Sequence, residues 1–327
     1  PGLVPVPQAA VDDPKSFLEQ PIGNGPFKMD EPWKHNQYIN LVKFDEYHGE
    51  APKIDGVYCS IQKDPDTAYN EFKAGTIDFA QIPTGQIKDN VDKYGKSEDG
   101  YTSTPGKQCL LGVELSSYFM IPCSQDPVLA DVNVAAPLLA INRQNIVDTL
   151  YEGSRMPATS IMPTAIDDSE ENVWQYCKYD PDQAKQILED AGYTADADGK
   201  RGLEVTLNYN GDGGHEDLMS TIQLDLEAVG FTVKQDAVEW ATYLDNLSKD
   251  EFSLGRLGWT ADYPTMDNFL YPNFYTGADN NYEKYSNPEV DKMMEEARQI
   301  QDEEERKAAC RKVCALIGED DAGLASA

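Results

Sequence analysis

The chain has 327 residues, 40% of them apolar and 26% charged, a globular balance with length enough for two cores. Its 58 Asp and Glu against 27 Lys and Arg give a formal charge of −31, which repels phosphate backbones and anionic headgroups and so argues against nucleic acid and against a lipid surface as partners. No run approaches the roughly 20 apolar residues that a membrane-crossing helix needs.

Residues 1–30 are rich in Pro and Gly without periodicity and read as an extended lead-in closing on the turn Gly23-Asn24-Gly25-Pro26. Strands are expected over Tyr38–Phe44 and Ile54–Ile61, the latter alternating through Val57, Cys59 and Ile61. A short helix over Thr67–Ala74 then leads through Gly75 to a strand at Ile77–Ala80, so that the segment to residue 108 is expected to be a βαβ-like piece of a larger sheet. Pro105-Gly106 suits a change of chain direction at a hinge, after which Leu110–Leu115 reads as an apolar strand and Ser116–Pro127 as a loop. A helix is expected from Ala136 to Tyr151, its start displaced to Ala136 by Pro137.

Asp180-Pro181 opens a helix with the acid as N-cap and Pro at the first helical position, and Gly192 ends it. Leu203, Val205, Leu207 and Tyr209 alternate as a half-buried strand, and the loop Gly211–Gly214 leads into a helix from His215 to Val229. Phe231 and Val233 mark a strand, Trp240–Leu247 a helix and Phe252–Trp259 another strand, an alternation that argues for an α/β lobe. The last helix starts at Asn287-Pro288 and carries Val290, Met293, Met294, Ala297 and Ile300 on one stripe, a core face.

Catalytic and metal motifs are thin. There is no G-x-S-x-G, H-E-x-x-H or Walker A pattern, and Gly211-Asp212-Gly213-Gly214 puts an acid where a phosphate would sit. Asp196-x-Asp198-Gly199 echoes a calcium loop, but Thr194 and Val205 occupy its first and twelfth ligand positions, so it reads as a polar turn. Six cysteines without a C-x-x-C pair suggest neither zinc nor a redox centre; Cys310 and Cys314 fit helix packing, and Cys109 with Cys123 would suit a short disulfide in an oxidising compartment. No cofactor and no metal is expected.

The run from Arg256 to Tyr263 carries the most information. Asp262, between Trp259 and Tyr263, either organises the turn before Pro264 or receives a ligand cation. Arg256 either pairs with one of the many acids or holds a ligand anion; His215 is either a solvated helix start or part of an anion site at a helix N-terminus. Trp259 and Trp240 either wall a site or fill a core.

Arg256–Tyr263 resembles the R-x-G-W-x-A-D-Y signature of the oligopeptide- and dipeptide-binding proteins of ABC importers, solute-binding protein family 5. Further segments are similar to that family: Gly23–Lys28, Pro52–Val57, Thr67–Asp78, Asp131–Arg143 and Tyr285–Asp291. The resemblance implies an α/β, two-lobed periplasmic-binding-protein-like fold of class II, with residues 1–108 as part of lobe I and 109–327 as lobe III. It implies a chain truncated at both ends, lacking any signal peptide or lipid-anchor cysteine and, after Ile317–Asp321, the return to lobe I. Some relatives bridge a cysteine at the position of Cys109 to one that matches Thr260, a bridge that cannot form here. Among site residues it implies Asp262 for a peptide ammonium and Arg256 and His215 for ligand carboxylates; Trp259, Trp240 and Tyr263 are the candidate ligand-binding aromatics beside them. The implied protein is an extracytoplasmic, monomeric, non-enzymatic carrier that closes two lobes around a short peptide and delivers it to ABC permease subunits in the membrane. Other cargo on the same scaffold (an oligosaccharide, a nickel chelate, an opine), a carboxylate-pair hydrolase using Asp262, or an adhesion lobe without ligand are the alternatives.

Overall fold

A computed structural model describes residues 6–129, 136–166, 169–170, 173–320 and 325–326. The Asp131–Val134 part of the family-like motif, and Asp321, lie outside the described residues. The chain divides into two compact units, Pro1–Gln81 and Ile82–Ala327.

The first unit contains an antiparallel meander of β1 (Phe27–Met29), β2 (Tyr38–Lys43) and β3 (Gly56–Ser60). It is not the βαβ piece expected from the sequence, because the expected strand at Ile77–Ala80 does not form. Those residues pair with no described strand, and Phe79 stands 74% exposed. The lead-in is also not wholly extended. Gln8–Asp12 and Pro14–Glu19 are short helices, the second started by Asp13, whose side chain accepts from the Ser16 N–H. The helix Pro65–Ala74 follows expectation, capped by Asp64 at one end and by left-handed Gly75 at the other. Cys59 is exposed despite its alternating position.

In the second unit a five-stranded mixed sheet has the order β6-β5-β7-β4-β8, with β4 (Ser116–Pro122), β5 (Glu204–Asn210), β6 (Thr232–Val238), β7 (Leu254–Thr260) and β8 (Ala325–Ser326). β5 runs parallel to β6 and β7, and β4 is antiparallel to β7 and β8. Successive side chains separate into two cores, one on each face. Phe119, Ile121 and Leu257 pack with the helices Asp267–Phe274, Pro288–Ala297 and Glu303–Asp320, whereas Met120, Val205, Leu207 and Leu254 pack with Pro181–Asp190 and Glu216–Glu227. Val290, Met294 and Ala297 are buried as their stripe requires, and Cys310 and Cys314 pack in the same core.

Three local expectations are corrected. The strand lies at Ser116–Pro122, not at Leu110–Leu115, because seven consecutive residues there pair with Thr260–Leu254, a partner that local periodicity does not reveal. The expected helix over 136–151 is split into a 3-10 turn, Ala136–Ala140, and a helix, Arg143–Thr149, by Asn142, whose side chain caps the second piece at the Asn145 N–H. Cys109 and Cys123 are both buried free thiols rather than a disulfide, the Cys123 Sγ donating to the Asp250 carbonyl at 3.6 Å.

Residues 82–108 belong with the second unit. The Gly85 N–H donates to the Leu150 carbonyl, the Lys88 N–H to the Glu152 carboxylate and the Ser97 N–H to the Cys109 carbonyl. The compact-unit boundary thus precedes the 108/109 lobe division drawn from the resemblance. Among the described residues no helix is long and apolar enough to cross a membrane. None of their His, Cys, Asp and Glu side chains form a group that could hold a metal ion. The Asp196–Gly199 segment is a turn in which the Asp196 Oδ1 accepts from the N–H groups of Asp198 and Lys200.

Candidate functional site

Two polar clusters are mounted on β7 and the turn that follows it. The first is built around Arg256. Two residues further along β7, β4 presents Tyr118 against Gly258, where an added Cβ would lie 2.3 Å from a Tyr118 ring carbon. Gly258 therefore has no side chain because the tyrosine ring lies across it, and the Arg256 guanidinium sits 4.4 Å from that ring's centroid. From the other side the Tyr243 hydroxyl donates to the Arg256 carbonyl at 2.8 Å, fixing the strand against the helix Trp240–Ser248.

Arg256 is 8% exposed, its Nε has no hydrogen-bond partner, and no carboxylate among the described residues pairs with it. Among the described residues, then, Arg256 has no ion-pair partner. Its Nη1 instead meets His215 Nε2 at 3.0 Å. An arginine can only donate, so the imidazole accepts at Nε2 and carries its proton on Nδ1. His215 precedes the helix Glu216–Glu227, and Gly213 leaves room for its ring: a Cβ there would lie 2.4 Å from Nε2. Gly213 is thus accounted for by ring packing.

Burial, then the positive charges of Arg256 and Arg155, lower the His215 pKa to about 4 against a smaller opposing pull from Asp212. The ring is neutral at pH 7, not a solvated helix-start residue. Its folded pKa lies below its unfolded value of about 6.5, so the unfolded chain binds more protons between these values. The resulting contribution to stability is complete above about pH 6.5 and is lost as pH falls toward 4. Urea unfolding across that window should therefore show a shallower loss of stability for His215→Gln than for the wild type; identical slopes would mean a ring in free contact with water.

The second cluster lies at the end of β7. Asp262 is exposed, and its carboxylate caps no backbone N–H of the turn among the described residues. That role falls to Asn268, which is 2% exposed at the start of the helix Asp267–Phe274. Asn268 Oδ1 accepts from the Asp262 N–H at 2.8 Å and from the Trp259 indole N–H at 3.2 Å, while its Nδ2 donates to Asp262 Oδ2 at 3.3 Å. One buried amide thus ties the indole and the acid together and leaves Asp262 Oδ1 open. Tyr263 turns aside, its hydroxyl donating to Asp267 Oδ2, and Trp259 packs half-buried at the edge of a core. Trp240 is 41% exposed and leans on Tyr243 with ring centroids 6.2 Å apart.

The structure therefore joins Arg256 with His215, joins Trp259 with Asp262 through Asn268, and reaches Trp240 through Tyr243. Sequence reasoning missed Tyr118, Asn268 and the second arginine of the first cluster, Arg155. Only Asn268 had a readable signal, as the residue one step inside a helix that starts just after Asp262.

Residues 2–281 match the bacterial extracellular solute-binding proteins, family 5 (middle). Among curated proteins, the oligopeptide-binding protein OppA of Bacillus subtilis (strain 168) is 28% identical over 299 residues, 89% of this chain and 53% of that protein. Heme-binding protein A of Haemophilus influenzae (strain ATCC 51907 / DSM 11121 / KW20 / Rd) is 26% identical over 298 residues, 90% of this chain and 53% of that one. The chain spans about half the length of these relatives. In fold it is similar to Burkholderia pseudomallei OppA, with a TM-score of 0.83 at 24% identity over 98% of this chain and 62% of that one. The architecture is accordingly the α/β type of the periplasmic oligopeptide-binding proteins. With well over half of its length in the match, the chain belongs to the bacterial extracellular solute-binding proteins, family 5.

Proposed function

We propose that this chain is the ligand-gripping part of an extracytoplasmic carrier that binds short peptides and delivers them to ABC permease subunits, without catalysing a reaction. In this reading residues 109–327 are the peptide-binding lobe, residues 1–108 contribute to lobe I, and the protein acts as a monomer. The observation that carries it is the Arg256–His215 pair, whose guanidinium no described carboxylate bonds, with Arg256 on the strand β7 and Asp262 in the turn that follows it: an anion site and a cation site six residues apart along one segment. A peptide with free termini carries the matching charges. Six residues of chain reach at most about 20 Å, which keeps the backbone spacing of the anchors within the length of a short extended peptide. Main-chain hydrogen bonds along such a ligand would give affinity without sequence demand, leaving the two anchors to select free ends.

Trp259, Trp240 and Tyr263 would supply apolar walls, with Asn268 holding Trp259 and Asp262 in place. The likeness to a heme-binding protein supports a second reading, in which the cationic cluster receives the carboxylates of a larger cofactor-like cargo and Asp262 is idle. Native mass spectrometry after incubation with a pool of di- to hexapeptides, and separately with hemin, distinguishes these. Retention of intact peptides is expected. Cleaved peptides would indicate a hydrolase, retention of hemin alone the second reading, and retention of neither would overturn both.

A further inference from the structure

Arg155 adds a second guanidinium to the first cluster. Its Cζ lies 3.9 Å from the Tyr151 ring centroid and 5.4 Å from that of Tyr118, the ring that also carries Arg256 at 4.4 Å. The two guanidinium carbons can therefore be no farther apart than the sum of the two Tyr118 distances. Arg155 is exposed, yet no described carboxylate pairs with it, in a chain where acids outnumber bases more than twofold. Here two aromatic rings hold it instead, beside a like charge and a neutral imidazole, so the cluster carries two positive charges that no described carboxylate bonds, the nearby Asp212 acting on the His215 ring less than either arginine does. Like charges held this close repel, and a ligand bearing one carboxylate relieves only part of that repulsion.

We infer that the Arg155–Tyr118–Arg256 cluster takes a ligand end with two negative charges, namely a peptide whose last residue is Asp or Glu. The inference rests on the peptide reading above. Buried Arg256 with His215 would hold one carboxylate, and Arg155 at the rim the other, as the α-carboxylate and side-chain carboxylate of one residue lie within a few bonds of each other. Because Arg155 is exposed, its pairing is of the solvent-screened kind, and a preference of about threefold to tenfold is expected at low salt.

The test is calorimetric titration of the chain with two peptides that share all residues but the last, Glu in one and Gln in the other, both with free termini. For the wild type the Glu-ended peptide should bind about threefold to tenfold more tightly, with the margin shrinking at 0.5 M salt. Arg155→Gln should bring that ratio to about one, and Arg155→Lys should retain part of it, since the charge remains but the planar stacking is lost. Thermal unfolding of the variants checks that each is folded, as expected for a change at an exposed side chain. Equal binding of the two peptides by the wild type, or a preference that survives Arg155→Gln, would overturn this inference and leave the peptide reading standing. If neither peptide binds, both fall.

Discussion

Asp262→Asn is expected to weaken a peptide with a free amino terminus by about 10-fold to 150-fold, the loss of a charge-assisted bond worth roughly 1.5 to 3 kcal/mol. The surroundings make this substitution a clean probe of charge. Asn268 Nδ2 donates to only one carboxylate oxygen, and an asparagine at 262 can offer its carbonyl to the same donor. The Asp262 N–H bond to Asn268 Oδ1 is a main-chain bond and is untouched. Shape, turn and the link to Trp259 should therefore persist while the charge disappears. An N-acetylated peptide lacks the ammonium from the start, so it should bind the wild type poorly and be nearly indifferent to the substitution. A double-mutant cycle across protein and ligand, measured by calorimetry, should show a coupling comparable to the single loss. Coupling below about 0.5 kcal/mol with unchanged folding stability would exclude Asp262 from the ligand site.

How far the sequence alone revealed this arrangement depended on whether a feature is local. The starts of the helices Pro181–Asp190 and Pro288–Ala297 were readable because their start signals, Asp180-Pro181 and Asn287-Pro288, act through bonds two or three residues away, whereas the second helix stops at Ala297, short of Ile300 on its expected stripe. Strand β7 was readable because its glycines and apolar residues stand in one short run. By contrast β4 was displaced by several residues. Leu110, Leu111 and Leu115 mimic a strand, Ser116 and Ser117 mimic a loop, and the ladder that decides the matter joins residues well over a hundred positions apart. The first unit misled for a related reason: Ile77–Ala80 has strand-forming residues but no described strand beside it, and extended backbone without a partner is not a strand. Arg256 and His215 were each marked as site residues, but that one donates to the other emerges only when β7 meets the start of the helix Glu216–Glu227. Arg155 and Tyr118 left no trace in the sequence, since stacking between a turn and a strand imposes no spacing rule.

Removal of Arg256 should produce the most selective effect. Arg256→Ala is expected to weaken peptides with a free C-terminal carboxylate by about 10-fold to 150-fold, and their C-terminal amides far less, because only the acid supplies a charge for the guanidinium. The side chain is also a structural element: it covers the Tyr118 ring and donates to His215, so the variant loses stability as well as affinity. For this reason the acid-to-amide ratio, not the affinity itself, is the quantity that reports on recognition, as a general loss of structure would weaken both ligands alike. Arg256→Lys sharpens the argument. It keeps one positive charge but cannot both stack flat on Tyr118 and present a fork, so it should recover only a small part of the ratio. The His215 imidazole supplies a second readout on the same variants. In the wild type its low pKa owes part of its depression to the Arg256 charge, which means that Arg256→Ala should raise it from about 4 toward the ordinary value near 6.5, by an amount readable from its ring proton shifts against pH. A ratio that stays at its wild-type value in Arg256→Ala while the imidazole pKa moves would mean that the guanidinium serves the histidine and the fold but not the ligand.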